Sequence, residues 1–224
     1  FDIFEKIKRE YEDEKGRLIH VSNRDLKKEE KNLLLVCSSN PNFEWYRVEK
    51  GDELERKSLN DCCNNSHSHE IWTLREKKFD ESGELEGHIS RIHAGFNKSE
   101  RALKEIVGYG NNKPSPRYFK CFADLAKSGL FDKIFLEGEY IRAENLVWED
   151  LPESMLEDIV TNNKRLLEFD TYLAYKFTGK TLPEITYYRN GNKKREVWKK
   201  YDGRLFREDG PANIDYWDNG NEKK

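Results

Sequence analysis

The chain has 224 residues, 37% charged and 36% hydrophobic, and its 40 Lys and Arg against 43 Asp and Glu leave a net charge of −3. That balance excludes a globally basic duplex binder and a strongly acidic nucleic-acid mimic, and 12% aromatic residues exclude a chain too polar to fold. No apolar run approaches the roughly 20 residues of a spanning helix, so no membrane partner is expected. Four Cys, at 37, 62, 63 and 121, are too sparse for a disulfide scaffold and point to a cytoplasmic setting, in a bacterium or an infected host cell. The start at Phe1 rather than Met suggests that an initial segment or tag was removed.

Phe1, Phe4, Ile7 and Tyr11 recur at helical spacing before Gly16, which predicts a first helix. Residues 18–21 and 33–36 read as strands around a charged stretch, 24–32, that suits a helix. A loop at 38–42, a strand at 43–48 and a polar loop at 58–69 follow. Residues 70–74 and 85–93 read as two strands flanking the 80–84 turn. Ala102, Leu103, Ile106 and Val107 fit one helix face over 100–108, with Asn97 or Ser99 as cap. Residues 111–116 read as a linker and 118–128 as a second helix, with 131–140 a strand or an irregular connection. Pro152 opens a long helix, or a kinked pair, over 151–177, closed by Gly179. The expected class is α+β in three regions: mixed over 1–110, mainly helical over 111–182, and β-hairpins over 183–224.

The hairpin region is the most informative. Tyr187-Tyr188-Arg189-Asn190-Gly191 recurs 29 positions later as Tyr216-Trp217-Asp218-Asn219-Gly220, with Tyr201-Asp202-Gly203 between them. Asn-Gly and Asp-Gly favour two-residue type I′ turns, whose central positions both need positive φ. A fainter echo relates Glu70-Ile71-Trp72 and the 80–85 turn to Glu196-Val197-Trp198 and 202–205, which suggests one hairpin design at both ends. The segment 203–212, GRLFREDGPA, resembles the L-x-R-x-D-G-P-A signature of MORN-like repeat proteins of bacteria, phages and giant viruses. The resemblance covers about 40 C-terminal residues, with Phe206 where the family usually has His.

The resemblance implies an antiparallel MORN-like β-hairpin array framed by Trp198, Arg207, Asp209, Gly210 and Pro211. It further implies a non-enzymatic protein-binding module that acts as an inhibitor, an antitoxin or a viral counter-defence protein. Asp209-Gly210-Pro211 has turn chemistry of its own, and Arg207 is close enough in sequence to brace Asp209. Tyr187, Arg189 and Trp217 are the partner-contact candidates, with the edge of the last strand as a docking rail. Residues 221–224 echo 192–195, so the array either ends there with a charged edge or has been cut.

Few residues suggest chemistry. His67 and His69, with Cys62 beside them, make a partial zinc set, but no second C-x-x-C or H-x₃-H element completes it, and no cofactor is expected. His88 and His93 stand five apart, on opposite faces of a strand unless a bulge intervenes. Residues 108–113 follow a predicted helix and lack the setting of a phosphate loop, G-x-S-x-G is absent, and Cys121 reads as a buried structural thiol. Cations interleaved with aromatics at 117–120 and 187–200 suit phosphate contact with base stacking. The alternative to a protein binder is thus a nucleic-acid-binding protein, or a small metal-dependent nuclease using the His67/His69 loop. No catalytic set is complete, and the balance is against an enzyme.

Overall fold

The computed structural model describes residues 16–23, 26–49, 52–59, 70–134, 144–199, 204–207 and 210–223. Both helices and strands are abundant, so the protein is α+β, and the chain divides into two compact units, Phe1–Asn163 and Lys164–Lys224.

The first unit is built on a seven-stranded sheet of β1 (Ile19–His20), β2 (Leu33–Val36), β3 (Phe43–Val48), β4 (Glu70–Phe79), β5 (Leu85–Asn97), β6 (Ala102–Val107) and β7 (Lys133–Ile134). The order is β2-β3-β4-β5-β6-β7, antiparallel except for the β6–β7 pair. The long β5 pairs with β4 along one side and shares the other between β1 and β6. Alternation along β3 and β4 sorts side chains onto two faces. Trp45, Trp72, Leu74, Ile92 and Ala94 line one face and are all buried. Helix α3 (Phe119–Lys127) is tied to it by Trp45 Nε1–H donating to the Cys121 carbonyl at 3.0 Å. Phe122, Phe131 and Trp148 form an aromatic cluster with centroids 5.8–6.2 Å apart, and Leu156 and Ile159 of α4 (Glu153–Asn162) are buried as well.

The opposite face is polar, with Glu44 and Tyr46 on β3, Thr73, Arg75 and Lys77 on β4, and His88, Ser90 and His93 on β5. Two short helices, α1 (Leu26–Asn32) and α2 (Glu53–Leu59), supply Glu29 and Glu55 to it.

In the second unit, α5 (Leu166–Phe169) and α6 (Thr171–Thr178) precede a three-stranded antiparallel sheet of β8 (Pro183–Tyr187), β9 (Lys193–Trp198) and β10 (Asn213–Asp215), with β9 central. Asp170 caps α6 by accepting from the Leu173 amide at 3.0 Å, and Gly179 at φ 71° ends it.

Two expectations are corrected. Residues 102–107 form a strand, not the helix expected over 100–108. Glu105 sits at φ 51° and the ladder shifts register between His93 and Gly95, so β6 buries its apolar residues in adjacent pairs, a pattern that imitates a helix. The long helix or kinked pair expected over 151–177 is three helices, broken at Asn163 and at Asp170.

Candidate functional site

The 29-residue recurrence has a structural counterpart. At the first turn the Tyr188 amide donates to the Asn192 carbonyl at 2.8 Å, the Gly191 amide to the Tyr188 carbonyl at 3.0 Å, and the Asn192 amide to Asn190 Oδ1 at 3.0 Å. At the second, Trp217 donates to Asn221 at 2.7 Å, Gly220 to Trp217 at 2.9 Å, and Asn221 to Asn219 Oδ1 at 3.0 Å. Gly191 and Gly220 take φ of 86° and 87°. Only the glycine is left-handed, so these are three-residue loops in which a type I turn is followed by a left-handed glycine, not the two-residue type I′ turns expected from Asn-Gly. The β4–β5 turn repeats the scheme, with Asp80 donating to Glu84 at 2.9 Å, Gly83 to Asp80 at 3.0 Å, and Gly83 at φ 84°.

The two C-terminal turns sit side by side at one end of the sheet. Asn190 and Asn192 each donate through Nδ2 to the Asp218 carbonyl at 2.8 Å, and Tyr188 Oη–H donates to the Tyr216 carbonyl at 2.8 Å. Tyr187, Arg189 and Trp217, the predicted contact residues, are therefore gathered at this end and all are exposed, Tyr187 at 58% and Trp217 at 55%. Trp198 belongs to the frame. Its amide donates to Ala212, its carbonyl accepts from Phe206, and the Arg207 guanidinium lies 3.9 Å from its ring centroid. Gly210 takes φ 153° beside that guanidinium, with Pro211 next in the chain. Asp209 lies outside the described residues, so the proposed Arg207–Asp209 brace is not described. The last strand edge is not the open rail expected. Trp217 and Lys223 donate to the Asn221 and Asp215 carbonyls, so residues 221–223 fold back along β10.

Several charges on this sheet are paired, while Lys194 Nζ lies 6.0 Å from the Tyr188 ring centroid and Lys223 Nζ 4.7 Å from that of Trp217. Lys193 pairs with Glu196, Arg195 with Asp215 at 3.7 Å, and Lys199 with Glu184 at 2.8 Å. Burial by itself would raise the Glu196 carboxyl, but Lys193 and the Tyr216 hydroxyl, at 2.7 Å, outweigh it and hold it below its usual range. The same contact pushes the Tyr216 phenol up to about 12. Nucleic-acid stacking at 117–120 loses its aromatics, because Tyr118 and Phe119 are buried. A cleft of about 530 Å³ beside them carries Lys113, Arg117 and Lys120, but Asp150 holds Lys113 at 2.7 and 2.8 Å.

The polar face of the first unit is the cluster that sequence reasoning missed. Fully buried Glu55 receives Arg75 Nη2 at 2.6 Å, His88 Nε2 at 3.0 Å and the Ser90 hydroxyl, with His93 Nε2 at 3.9 Å. Arg75 also pairs with Glu29 and stacks 4.3 Å from the Tyr46 centroid. His88 and His93 approach the same carboxylate because the β4–β5 ladder shifts register between Leu74 and Arg75, which cancels their odd spacing. The bulge condition was readable in sequence; Glu55, on a separate helix, had no motif to mark it. Burial would raise the Glu55 carboxyl, yet Arg75 and the two imidazoles outweigh it and hold it well below its usual range. Both its oxygens are engaged, so chemically the cluster is a closed ion network that ties α2 to the sheet.

His67, His69 and Cys62 lie outside the described residues, and among the described residues no group of three metal-ligating side chains is gathered. No described helix is long and apolar enough to cross a membrane. Comparison with family models, curated proteins and solved structures returns no match.

Proposed function

We propose that this is a non-enzymatic binding protein of the MORN-like type, whose C-terminal sheet docks on another protein and inhibits or neutralises it. One observation carries the reading: Tyr187 and Trp217 are exposed at one end of the sheet, Trp217 with Lys223 Nζ 4.7 Å from its ring centroid, while the strand cations Lys193, Arg195 and Lys199 are paired with carboxylates. A phosphate backbone is bound chiefly by uncompensated cations, whereas a protein surface is recognised chiefly by rigid exposed aromatics. The stacked 29-residue turns hold Trp217 on a fixed frame, which lowers the entropy lost on binding.

The test is an affinity capture from a lysate of the source or its host, run with the native chain, Trp217→Ala and Tyr187→Ala. The expected result is one stoichiometric protein partner, indifferent to EDTA, whose recovery falls at least about tenfold with Trp217→Ala, as for a residue worth 1.4 kcal/mol or more at an interface. The melting temperature should stay within about 2 °C, because an exposed side chain contributes little to stability. Nucleic acid in the eluate, or a partner captured equally by both variants, overturns the reading.

A further inference from the structure

The cleft of about 530 Å³ in the first unit lies where α3 and α4 begin, and its size suits a small organic molecule rather than a bare ion. Pro116 and Phe119, from the approach to α3 and its first residue, and Pro152 and Met155, from the start of α4, give it apolar walls. The frame is fixed. Further along the two helices, Asn163 Nδ2 donates to the Ala126 carbonyl at 2.8 Å and Lys127 pairs with Asp158 at 3.0 Å. Tyr118 and Trp148, in the turns that lead into the cleft, are buried. The cleft is therefore preformed, and a ligand meets no cost of opening it.

Its charges do not cancel. The Asp150 carboxylate is already engaged, by Lys113 at 2.7 and 2.8 Å and by the Val147 amide at 2.9 Å. Arg117 reaches a carboxylate only through Nη2, at 3.5 Å from Glu76 Oε2, and Glu76 is held more closely by Arg91 and by Lys78, each at 2.6 Å. One carboxylate shared among three cations leaves Arg117 largely uncompensated. Lys120 is exposed and is met by no carboxylate among the described residues. The Arg117 guanidinium also lies 4.8 Å from the Tyr118 ring centroid, a stacked position that limits its freedom. In a chain of net charge −3, an apolar cleft thus carries two cations with unused capacity at its edge.

We propose that this cleft is a binding site for a small amphiphilic anion, with its oxyanion head on Arg117 and Lys120 and its apolar body against Phe119, Pro152 and Met155. A neutral apolar molecule would leave both cations unused, and a bare anion would leave the apolar walls wet. An amphiphile satisfies both, and the walls exclude water from one side of the ion contacts, which strengthens them over those on an open surface. The site belongs to the first unit and does not depend on the C-terminal sheet as a docking surface.

The test is a fluorescence titration of the full chain with anilinonaphthalene sulfonate, an aromatic body bearing one oxyanion. Saturable binding to the folded protein at one equivalent is expected, displaced by decanoate but not by the same concentration of inorganic phosphate. Phenylnaphthylamine, the same body without the sulfonate, should bind at least about tenfold more weakly, as should the sulfonate to Arg117→Gln or Lys120→Gln, since each loses a charge-assisted contact. Met155→Trp, which fills the cleft, should remove most of the binding. Lys120 is exposed, so Lys120→Gln keeps the test readable even if Met155→Trp disturbs the packing. Equal binding of the neutral and anionic dyes, displacement by phosphate as well as by decanoate, or binding unchanged in both Lys120→Gln and Met155→Trp would each overturn the proposal.

Discussion

Glu55 shows what one buried charge does to a small sheet. Its carboxylate is fully buried, and Arg75 has no comparable partner except Glu29. Removing one member of a buried pair costs about 3–5 kcal/mol, because the other is left charged in a poor solvent. Glu55→Gln is therefore expected to lower the unfolding free energy of the first unit, read from urea unfolding, by that amount at pH 7. Since the folded-state pKa of Glu55 is depressed, its contribution is fully present above the unfolded carboxyl value of about 4.3 and is lost as pH falls below it. Urea unfolding of both proteins from pH 7 to pH 3 should show their stabilities converging below about pH 4; a constant gap would mean that Glu55 acts only through its shape. At this scale sequence was informative about which residues were aromatic and exposed, Tyr187 and Trp217 among them, and silent on Glu55. Its partners come from β4 and β5, and only the fold brings them together with α2.

The element scale turns on repeated geometry. The turns at 80–84, 188–192 and 217–221 share one hydrogen-bond scheme, each with a glycine at φ between 84° and 87°. A Cβ on Gly191 or Gly83 would meet nothing within 4 Å, so substitution there tests backbone conformation alone. Gly191→Ala and Gly220→Ala should each cost about 1 kcal/mol through left-handed strain, and Gly191→Asn should recover much of it, since asparagine tolerates that region. Circular dichroism melts of the three variants check the ranking; alanine and asparagine behaving alike would show that strain is not the cause. The dipeptides Asn190-Gly191 and Asn219-Gly220 made these hairpins visible in sequence, yet they suggested the wrong turn, because the dipeptide does not fix loop length. The 102–107 strand was misread for the related reason that a bulge breaks the period of two on which strand recognition depends.

Across the whole molecule, the two units draw on different sources of stability. Buried hydrophobic side chains of the first unit include Trp45, Trp72, Leu74, Ile92, Phe122, Leu125 and Trp148, whereas those of the second, among the described residues, are Leu166, Leu173 and Ala174, all on α5 and α6. Strands β8–β10 contribute none; they rest on ladder hydrogen bonds, the stacked turns, the Glu196 ion pairs and Arg207 against Trp198. Hydrogen bonds contribute about 1 kcal/mol each after the competing bonds to water, so a sheet held mainly by them opens at a lower free energy than one with a closed core. Amide hydrogen exchange read by mass should therefore find peptides of β8–β10 exchanging well before those of β3, β4 and β5. Exchange of β8–β10 should also be the faster in high salt, where the exposed pairs Arg195–Asp215 and Lys199–Glu184 are screened. A docked partner that covers Trp217 and Tyr187 should slow this exchange while leaving β3–β5 unchanged, because binding to the folded sheet stabilises that sheet by mass action. Equal protection of both sheets in the free protein would mean that the aromatic frame around Trp198 is a sufficient core, and that the second unit is a rigid platform before any partner arrives.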